Sequence, residues 1–293
     1  MLTYLAELLS PFYYPVLVVA AAYFFILSLA NHYEMWRCAL PPEITDGQMV
    51  SVLVPARNEE AHIERCLNSL RNQLYKNYEI LVLNDNSGDK TLEIINGIAA
   101  TDNRVRVFDG KPLPEDWYGK PFAMHQLTQQ ARGEILIFTD ADTVHSPASI
   151  AWAVTNMQGL KADLISGYVG QIFKSFGEVI TVPLMFCLTG FIIPLFLNRF
   201  VNVHWFSAAI GQFIAVKREV FDAIGGCESF KKKTSEDIYM CRRIRSKGYS
   251  TRFLNITEYV SCRMYDGYRC AIEGIGKNIF DFLGKNTLLI FLV

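Results

Sequence analysis

Between residues 49 and 139, short apolar runs rich in Val, Ile and Leu alternate with helical stretches, and few folds accept that pattern. Met49–Pro55 (MVSVLVP) precedes a helical stretch over Glu59–Gln73, and Glu79–Asn84 (EILVLN) precedes one over Lys90–Ala100. Arg104–Phe108 precedes Phe122–Arg132, and Glu134–Thr139 (EILIFT) runs directly into acids. Short runs apolar on both faces, joined by helices of about ten residues, predict an α/β chain with a mostly parallel sheet covered by helices on both sides. Further on, Gln212–Val216 and Thr251–Leu254 read as strands, and Arg218–Ile224 and Glu236–Ser246 as helices. Parallel sheets of this kind bind ligands at the carboxyl ends of their strands, so the polar residues that close each run carry the functional information.

A second texture flanks this one. Leu8–Asn31 carries no charge, and about twenty apolar residues as a helix span a bilayer core. No basic segment precedes the run and no small-x-small site follows it, which argues against a cleaved signal peptide. Only Glu7 lies before it and Arg37 follows it, placing the downstream domain on the cytoplasmic side of a cell membrane. Val179–Asn198 is also uncharged but contains Pro183, Gly190 and Pro194, so it reads either as a kinked span or as shorter interfacial pieces. The apolar Leu288–Val293 is too short to cross and is either the start of a further membrane element or a docked tail. The expected organisation is a membrane anchor over 1–40, a linker at Pro41–Gln48 and a catalytic domain over 49–265 with a hydrophobic insert at 176–206. A membrane-associated segment over 266–293 follows. A hydrophobic content of 51% against 19% charged residues agrees with membrane contact.

Other classes are excluded by composition. A net charge of −1 with no basic run gives no surface for nucleic acid. Seven cysteines without a CxxC pair read as buried reduced thiols, and five histidines without HxxxH or HxH spacing do not predict a histidine-bound zinc. No GxGxxG follows the first run, which argues against a dinucleotide-dependent oxidoreductase.

The chemistry gathers at the strand ends. Asp140-Ala141-Asp142 closes the fourth run, and two carboxylates at this spacing can share a hard cation such as Mg²⁺ or Mn²⁺. Asp142 can equally cap the helix expected near Ser146–Asn156. Asn84-Asp85-Asn86-Ser87-Gly88-Asp89 closes the second run, either as a polar turn or with Asp85 accepting a hydrogen bond from the imide of a uracil-type base. Pro55-Ala56-Arg57-Asn58-Glu59-Glu60 closes the first, and Glu236-Asp237 opens a helix where acids also favour the dipole. Gly225-Gly226 permits close approach of a ligand to backbone, or stops the preceding helix.

Taken in order, PARNEE, NDNSGDKT, TDAD and SED resemble the motif set of family 2 glycosyltransferases, over roughly Val50 to Tyr265. The segment LPEDWYGK (113–120) and Arg263-Met264-Tyr265 are similar to the branch containing carotenoid-acid and hopanoid-associated glycosyltransferases. The resemblance implies a GT-A fold and inverting, metal-dependent transfer from a nucleotide-diphosphate sugar, a UDP-sugar foremost, to a lipid-like acceptor at the cytoplasmic membrane face. By position, Pro55, Arg57, Glu59 and Asp85 would line the base and ribose pocket, and Lys120 would approach the nucleotide phosphates or remain a surface lysine. Asp140 would approach the ribose and share with Asp142 the metal, Mg²⁺ or Mn²⁺. Asp237 would be the general base with Glu236 beside it, and Arg263, Gly225 and Gly226 would face acceptor or diphosphate. Asn84 departs from the paired acids usual at that turn, and Ile275 stands where related sequences place a tryptophan. The QxxRW signature is absent, which argues against processive polysaccharide synthesis. A triterpenoid or carotenoid acceptor is expected, with ceramide, diacylglycerol or polyprenyl phosphate as alternatives. A non-catalytic nucleotide-sugar-binding membrane protein is the reading from another class.

Overall fold

The computed structural model describes residues 2–37, 39–43 and 47–282 of the chain. Leu288–Val293 therefore lies outside the described residues. In chain order the elements are α1 (Leu2–Arg37), β1 (Val50–Ala56), α2 (Ile63–Arg71), β2 (Tyr78–Asn84), α3 (Thr91–Ala99), β3 (Val105–Asp109) and α4 (Gly119–Gln130). Next come β4 (Ile135–Thr139), β5 (Thr143–His145), α5 (Ser149–Gly159), β6 (Leu164–Tyr168), β7 (Gly170–Gln171) and α6 (Phe176–Ile192). After short 3₁₀ turns at Leu195–Arg199 and His204–Phe206, the chain forms β8 (Phe213–Lys217), α7 (Arg218–Ala223) and a 3₁₀ turn at Gly226–Phe230. It then forms α8 (Glu236–Ser246), β9 (Thr251–Asn255), β10 (Val260–Cys262) and α9 (Gly267–Phe282).

The main sheet runs β3-β2-β1-β4-β8-β6-β9 and is parallel except where β8 lies antiparallel to β4 and β6. The chain winds outward from β1 to β3, then returns to lay β4 on the other side of β1. That reversal opens a crevice at the strand ends, where such sheets bind their ligands. Alternation along the strands divides the core. Val50, Val52 and Val54 of β1 face α2, α3 and α5 through Leu67, Ile95 and Trp152, whereas Leu53 joins Met124 of α4 and Met240 of α8. Each aliphatic side chain so buried contributes about 1.5–3 kcal/mol relative to exposure, which is why these runs dominate the pattern.

A smaller sheet, β5-β10-β7, was not expected from the sequence. Its strands hold only two or three residues, too few for alternation to register. Among the described cysteines, Cys66, Cys227, Cys241 and Cys262 are buried free thiols and Cys270 is an exposed one.

Among the described residues, α1 is the one helix long and apolar enough to cross a membrane, over Tyr13–Trp36. Tyr14 and Tyr33 are both exposed and stand roughly 30 Å apart along the helix, the depth of a hydrocarbon core with an aromatic at each boundary. Val179–Asn198 forms most of a 17-residue helix and a following 3₁₀ turn. Asn31 fastens α1 to that corner. Its Nδ2 donates to the carbonyls of Gly190 (2.7 Å) and Ile193 (2.8 Å), and its Oδ1 accepts from Phe196 N (3.1 Å). These are carbonyls that the end of α6 leaves without helical partners. Below it Met35 packs with Ile193, Leu195 and Phe253. The connecting segment is held too, since Asn156 of α5 bonds both backbone groups of Leu40 (2.7 and 3.0 Å).

Candidate active site

Register delivers the motif loops side by side. Ala56 pairs with Asn84 across β1 and β2, so the loops that follow leave the sheet together. They clasp each other. Asn58 N donates to Ser87 Oγ (3.1 Å) and Gly88 N to Asn58 Oδ1 (2.8 Å). Glu60 N donates to Asp89 Oδ2 (3.1 Å) and Lys90 N to Glu60 Oε2 (3.0 Å), while Glu59 N donates to Thr91 Oγ1 (2.8 Å). Asn58 and Asn86 take left-handed backbone (φ 56° and 55°), which asparagine tolerates better than most residues. Asn84 has a turn role: its Oδ1 accepts from Ser87 N at 3.3 Å. Part of the polar content of both motifs therefore shapes loops, leaving Arg57, Glu59 and Asp85 as side chains able to meet a ligand. Arg57 Nη1 stands 3.8 Å from Asp85 Oδ2, a long contact from an exposed guanidinium and of little energetic weight.

Acids dominate the end of β4. Asp140 Oδ1 lies 2.7 Å from Lys120 Nζ. Asp142 Oδ1 is buried and has no hydrogen-bond partner among the described residues. Burial, and then the neighbouring Asp140 charge, pushes the Asp142 carboxyl up to about 6. Burial, followed by Asp142, Asp140 and Asp89, pushes Glu59 up to about 7. Asp142 does not cap α5, which begins at Ser149 with no side-chain cap. Neighbouring acids raise the affinity of Asp142 and Glu59 for a proton. No three metal-ligating side chains cluster among the described residues, so the Asp140–Asp142 pair suits a hard divalent cation that takes its remaining oxygens from substrate phosphate or water.

The third component lies across the cleft. Thr139 of β4 pairs with Phe213 of β8, so Asp140 and the residues just before β8 meet at one end of the antiparallel pair. Gly211 N donates to Asp237 Oδ2 (2.9 Å), and Ile238 N to Asp237 Oδ1 (2.8 Å). Glu236 Oε1 takes the other side of Lys120 Nζ, at 3.1 Å. Burial and then the Glu236 charge lift Asp237 to about 7. Burial disfavours the Lys120 ammonium, but Asp140 and Glu236 outweigh it and hold its pKa well above the ordinary range.

Pro55, Lys120, Asp140, Gly211, Glu236 and Asp237 line one small cavity together with Met124, Phe138 and Ile214. The structure thus gathers Pro55, Lys120, Asp140, Glu236 and Asp237, with Asp142 and Glu59 electrostatically coupled to Asp140 and the Arg57–Asp85 pair at the adjoining strand ends. Lys120, expected near the nucleotide phosphates, bridges two carboxylates in this cavity.

Of the expected residues, Arg57, Glu59, Asp85 and Asp142 stand beside this cavity rather than in its lining, and Gly225, Gly226 and Arg263 are engaged elsewhere. Gly225 and Gly226 take positive φ (86° and 55°), and Gly225 N bonds Asp222 O at 2.9 Å, which is a helix stop after α7. Arg263 binds Glu178 (Nη2 to Oε1, 2.7 Å) and Asp266, tying the start of α6 to that of α9. Ile275 is buried beside Val182 and Ala271 in the same helix contact. Gly211 was missed. A Cβ there would lie 3.0 Å from Lys120 Nζ, and a glycine just ahead of a strand was the available signal for close approach.

The model of the family described as glycosyl transferase family 2 matches residues 51–225. The chain is 28% identical over 222 residues to the probable glycosyltransferase YdaM of Bacillus subtilis, covering 70% of this chain and 48% of that protein. It is 27% identical over 248 residues to 4,4'-diaponeurosporenoate glycosyltransferase of Staphylococcus aureus, covering 78% of this chain and 60% of the relative. It therefore spans between about half and three-fifths of these curated relatives. Among solved structures, the mannosyltransferase PcManGT from Pyrobaculum calidifontis, in complex with GDP-Man and Mn²⁺, superposes with a TM-score of 0.57 at 20% identity, covering 84% of this chain and 67% of that one. TarS 1–349 of S. aureus in complex with UDP gives 0.53 at 19% identity, covering 74% and 61%. These likenesses identify the fold as GT-A.

Proposed function

We propose that the chain, a member of glycosyl transferase family 2, is a glycosyltransferase that moves a sugar from a UDP-sugar to a lipid-like acceptor at the cytoplasmic membrane face, with inversion. The observation that carries the lipid reading is Asn31, which fixes a membrane-length helix to the body of the domain. The exposed Phe176, Val179, Ile180 and Leu184 of α6 extend that apolar surface past the anchor. The S. aureus relative, named for a carotenoid-acid substrate, favours a triterpenoid or carotenoid among such acceptors.

The proposed chemistry follows from the cleft. Asp85 and Arg57 receive the base, with Pro55 and Glu59 beside the ribose. Asp237 takes the proton of the acceptor hydroxyl, that oxygen forms the new bond to the anomeric carbon, and the bond to the diphosphate oxygen breaks as the nucleoside diphosphate leaves. A base positioned opposite the leaving group gives inversion. Asp140 and Asp142 would hold Mg²⁺ or Mn²⁺, which when bound supplies positive charge against the developing diphosphate. The Lys120 ammonium offsets the charges of Asp140 and Glu236 beside Asp237.

The test uses detergent-solubilised full-length chain with MnCl₂, a panel of UDP-sugars and GDP-mannose, and a membrane lipid extract. Nucleoside diphosphate release and mass spectrometry of the lipids identify donor and acceptor, and NMR reads the anomeric configuration. Sugar on a triterpenoid or carotenoid with inverted configuration supports the proposal. Sugar on ceramide, diacylglycerol or polyprenyl phosphate moves the acceptor class, and transfer only to water-soluble acceptors, or with retained configuration, refutes it.

A further inference from the structure

Beneath the acidic turn lies a buried polar knot that the transfer chemistry does not use. His145 of β5 is 4% exposed. Its Nε2 stands 3.0 Å from Thr139 Oγ1 and 3.1 Å from Thr143 Oγ1, and its Nδ1 3.2 Å from Ser149 Oγ. The two threonines bracket Asp140-Ala141-Asp142. Thr143 Oγ1 donates to Asp140 O (2.7 Å), and Thr139 Oγ1 donates to Gln212 O (2.9 Å).

Each hydroxyl has one proton, and both protons go to carbonyls. Ser149 Oγ is likewise committed, donating to Gln73 Oε1 at 3.0 Å, so the neutral ring supplies one N–H to this set of hydroxyls. Burial pushes the ring down to about 3, so it is neutral at any pH at which the protein works. The backbone of His145 is itself held, its N donating to Ser69 Oγ at 3.0 Å.

The two carbonyls lie on opposite walls of the cleft. Asp140 O belongs to the acidic turn. Gln212 O adjoins Gly211, whose N–H holds Asp237. A single buried ring thus orders the hydroxyls that set the spacing between the two walls. An ordinary core histidine would need partners only for itself, whereas these partners continue directly into both sets of site carboxylates.

We propose that His145 is a positioning residue that locks the Asp140–Asp142 turn against the Gly211–Gln212 segment through Thr139 and Thr143. The inference rests on the assignment above of Asp140 and Asp142 to the donor side and Asp237 to the base. Supporting partners one step behind a site typically change affinity or activity by about 10–100-fold when lost.

The test is calorimetric titration of the solubilised full-length chain with UDP, and separately GDP, in MnCl₂, together with KM and kcat for the donor. His145→Leu should weaken nucleotide binding by about tenfold or more and lower kcat. His145→Gln, whose amide can point an N–H at the same hydroxyls, should retain most of both. If His145→Leu does not fold, Thr143→Val against Thr143→Ser gives the same contrast, with Ser near wild type. Equal affinity and kcat within each pair, at equal folded fraction, overturns the proposal and leaves a packing role. Asp142→Asn separates the two levels. Normal binding and turnover in that variant, or no nucleotide binding by the wild type, removes the underlying assignment and this inference with it. Loss in Asp142→Asn with no effect in His145→Leu or Thr143→Val removes this inference alone.

Discussion

Replacing Asp237 by Asn tests catalysis and stability in opposite directions. The carboxylate sits in the cavity wall with Gly211 N and Ile238 N on its oxygens and Glu236 beside it. Lifting a carboxyl from the ordinary 3.8 to about 7 means that its ionised form is disfavoured by at most ~4 kcal/mol. Asp237 is partly open to solvent, which reduces the realised penalty to about 1–2 kcal/mol. Asn keeps the shape and one oxygen acceptor without the charge, so the variant should unfold at a higher temperature at pH 8. Turnover should nevertheless fall by about 10²–10⁴, the usual contribution of a general base, with nucleotide affinity nearly unchanged. In the wild type, turnover should rise about tenfold per pH unit below pH 7 and level off above it, as the base loses its proton. Calorimetry with UDP and MnCl₂, nucleoside diphosphate release and thermal unfolding in detergent read the three quantities. A variant that is less stable, and loses activity only in proportion to its folded fraction, would show that Asp237 is structural. Survival of turnover in Asp237→Asn with collapse in Glu236→Gln would name the other carboxylate.

Three further outcomes follow from the same geometry. Glu59 and Asp142 titrate higher in the folded protein (about 7 and 6) than their ordinary 4.5 and 3.8. The folded state therefore binds more protons between about pH 4 and 7, and the stability contribution of these groups grows as pH falls through that window. Metal-free protein should melt higher at pH 5.5 than at 7.5 through these groups, and the Mn²⁺ needed for half-maximal stabilisation should fall as pH rises. A pH-independent Mn²⁺ requirement, from melting curves across MnCl₂ titrations, would disconnect the acids from the metal. Gly211→Ala places a Cβ 3.0 Å from Lys120 Nζ and 3.7 Å from Asp237 Oδ2; kcat should drop by about tenfold or more with little change in melting temperature, and unchanged kcat would show that the ammonium can move freely. Glu178→Gln removes the charge that answers Arg263, so limited proteolysis near Gly267 should quicken while UDP affinity holds; equal cleavage rates would deny that this pair ties α9 to α6.

Much of the fold was legible because its physics is local. β1, β2 and β4 are buried on both faces, so their apolar runs stand out, and α8 begins at Glu236 where Ser, Glu and Asp crowd a helix start. The start of α2 was not legible. Helical periodicity extends back to Glu59, but Asn58 takes left-handed backbone and Glu59–His62 turns to meet the second loop, so the helix opens only at Ile63. Loop-to-loop hydrogen bonds across some thirty residues override the local preference there, and nothing in the pattern of either loop reveals the other.

The same distinction separates the site residues found from those displaced. Pro55, Lys120, Asp140 and Asp237 reach one cavity because each stands at a strand end or helix start, and sheet topology brings those points together. Arg263 was placed by likeness of position, and its observed partner is Glu178, far along the chain; the glycine pair, which reads either as room for close approach or as a helix stop, ends α7. Acids and amides in PARNEE and NDNSGDKT read as ligands by type, yet Asn58, Glu60, Ser87 and Asp89 hold the loops to each other. Gly211 and His145 carry the converse lesson. A glycine without side-chain chemistry and a histidine without a metal spacing announce nothing in the sequence. Their weight comes from what stands within about 3 Å of them in the fold: an ammonium shared between two carboxylates, and two hydroxyls whose protons are already committed. A residue's type tells what chemistry it can do, whereas the hydrogen bonds left open once its neighbours are satisfied tell what it is free to do. By that measure Asp142 Oδ1, buried and without a partner among the described residues, is a stronger pointer to a cation than the spacing of the two aspartates.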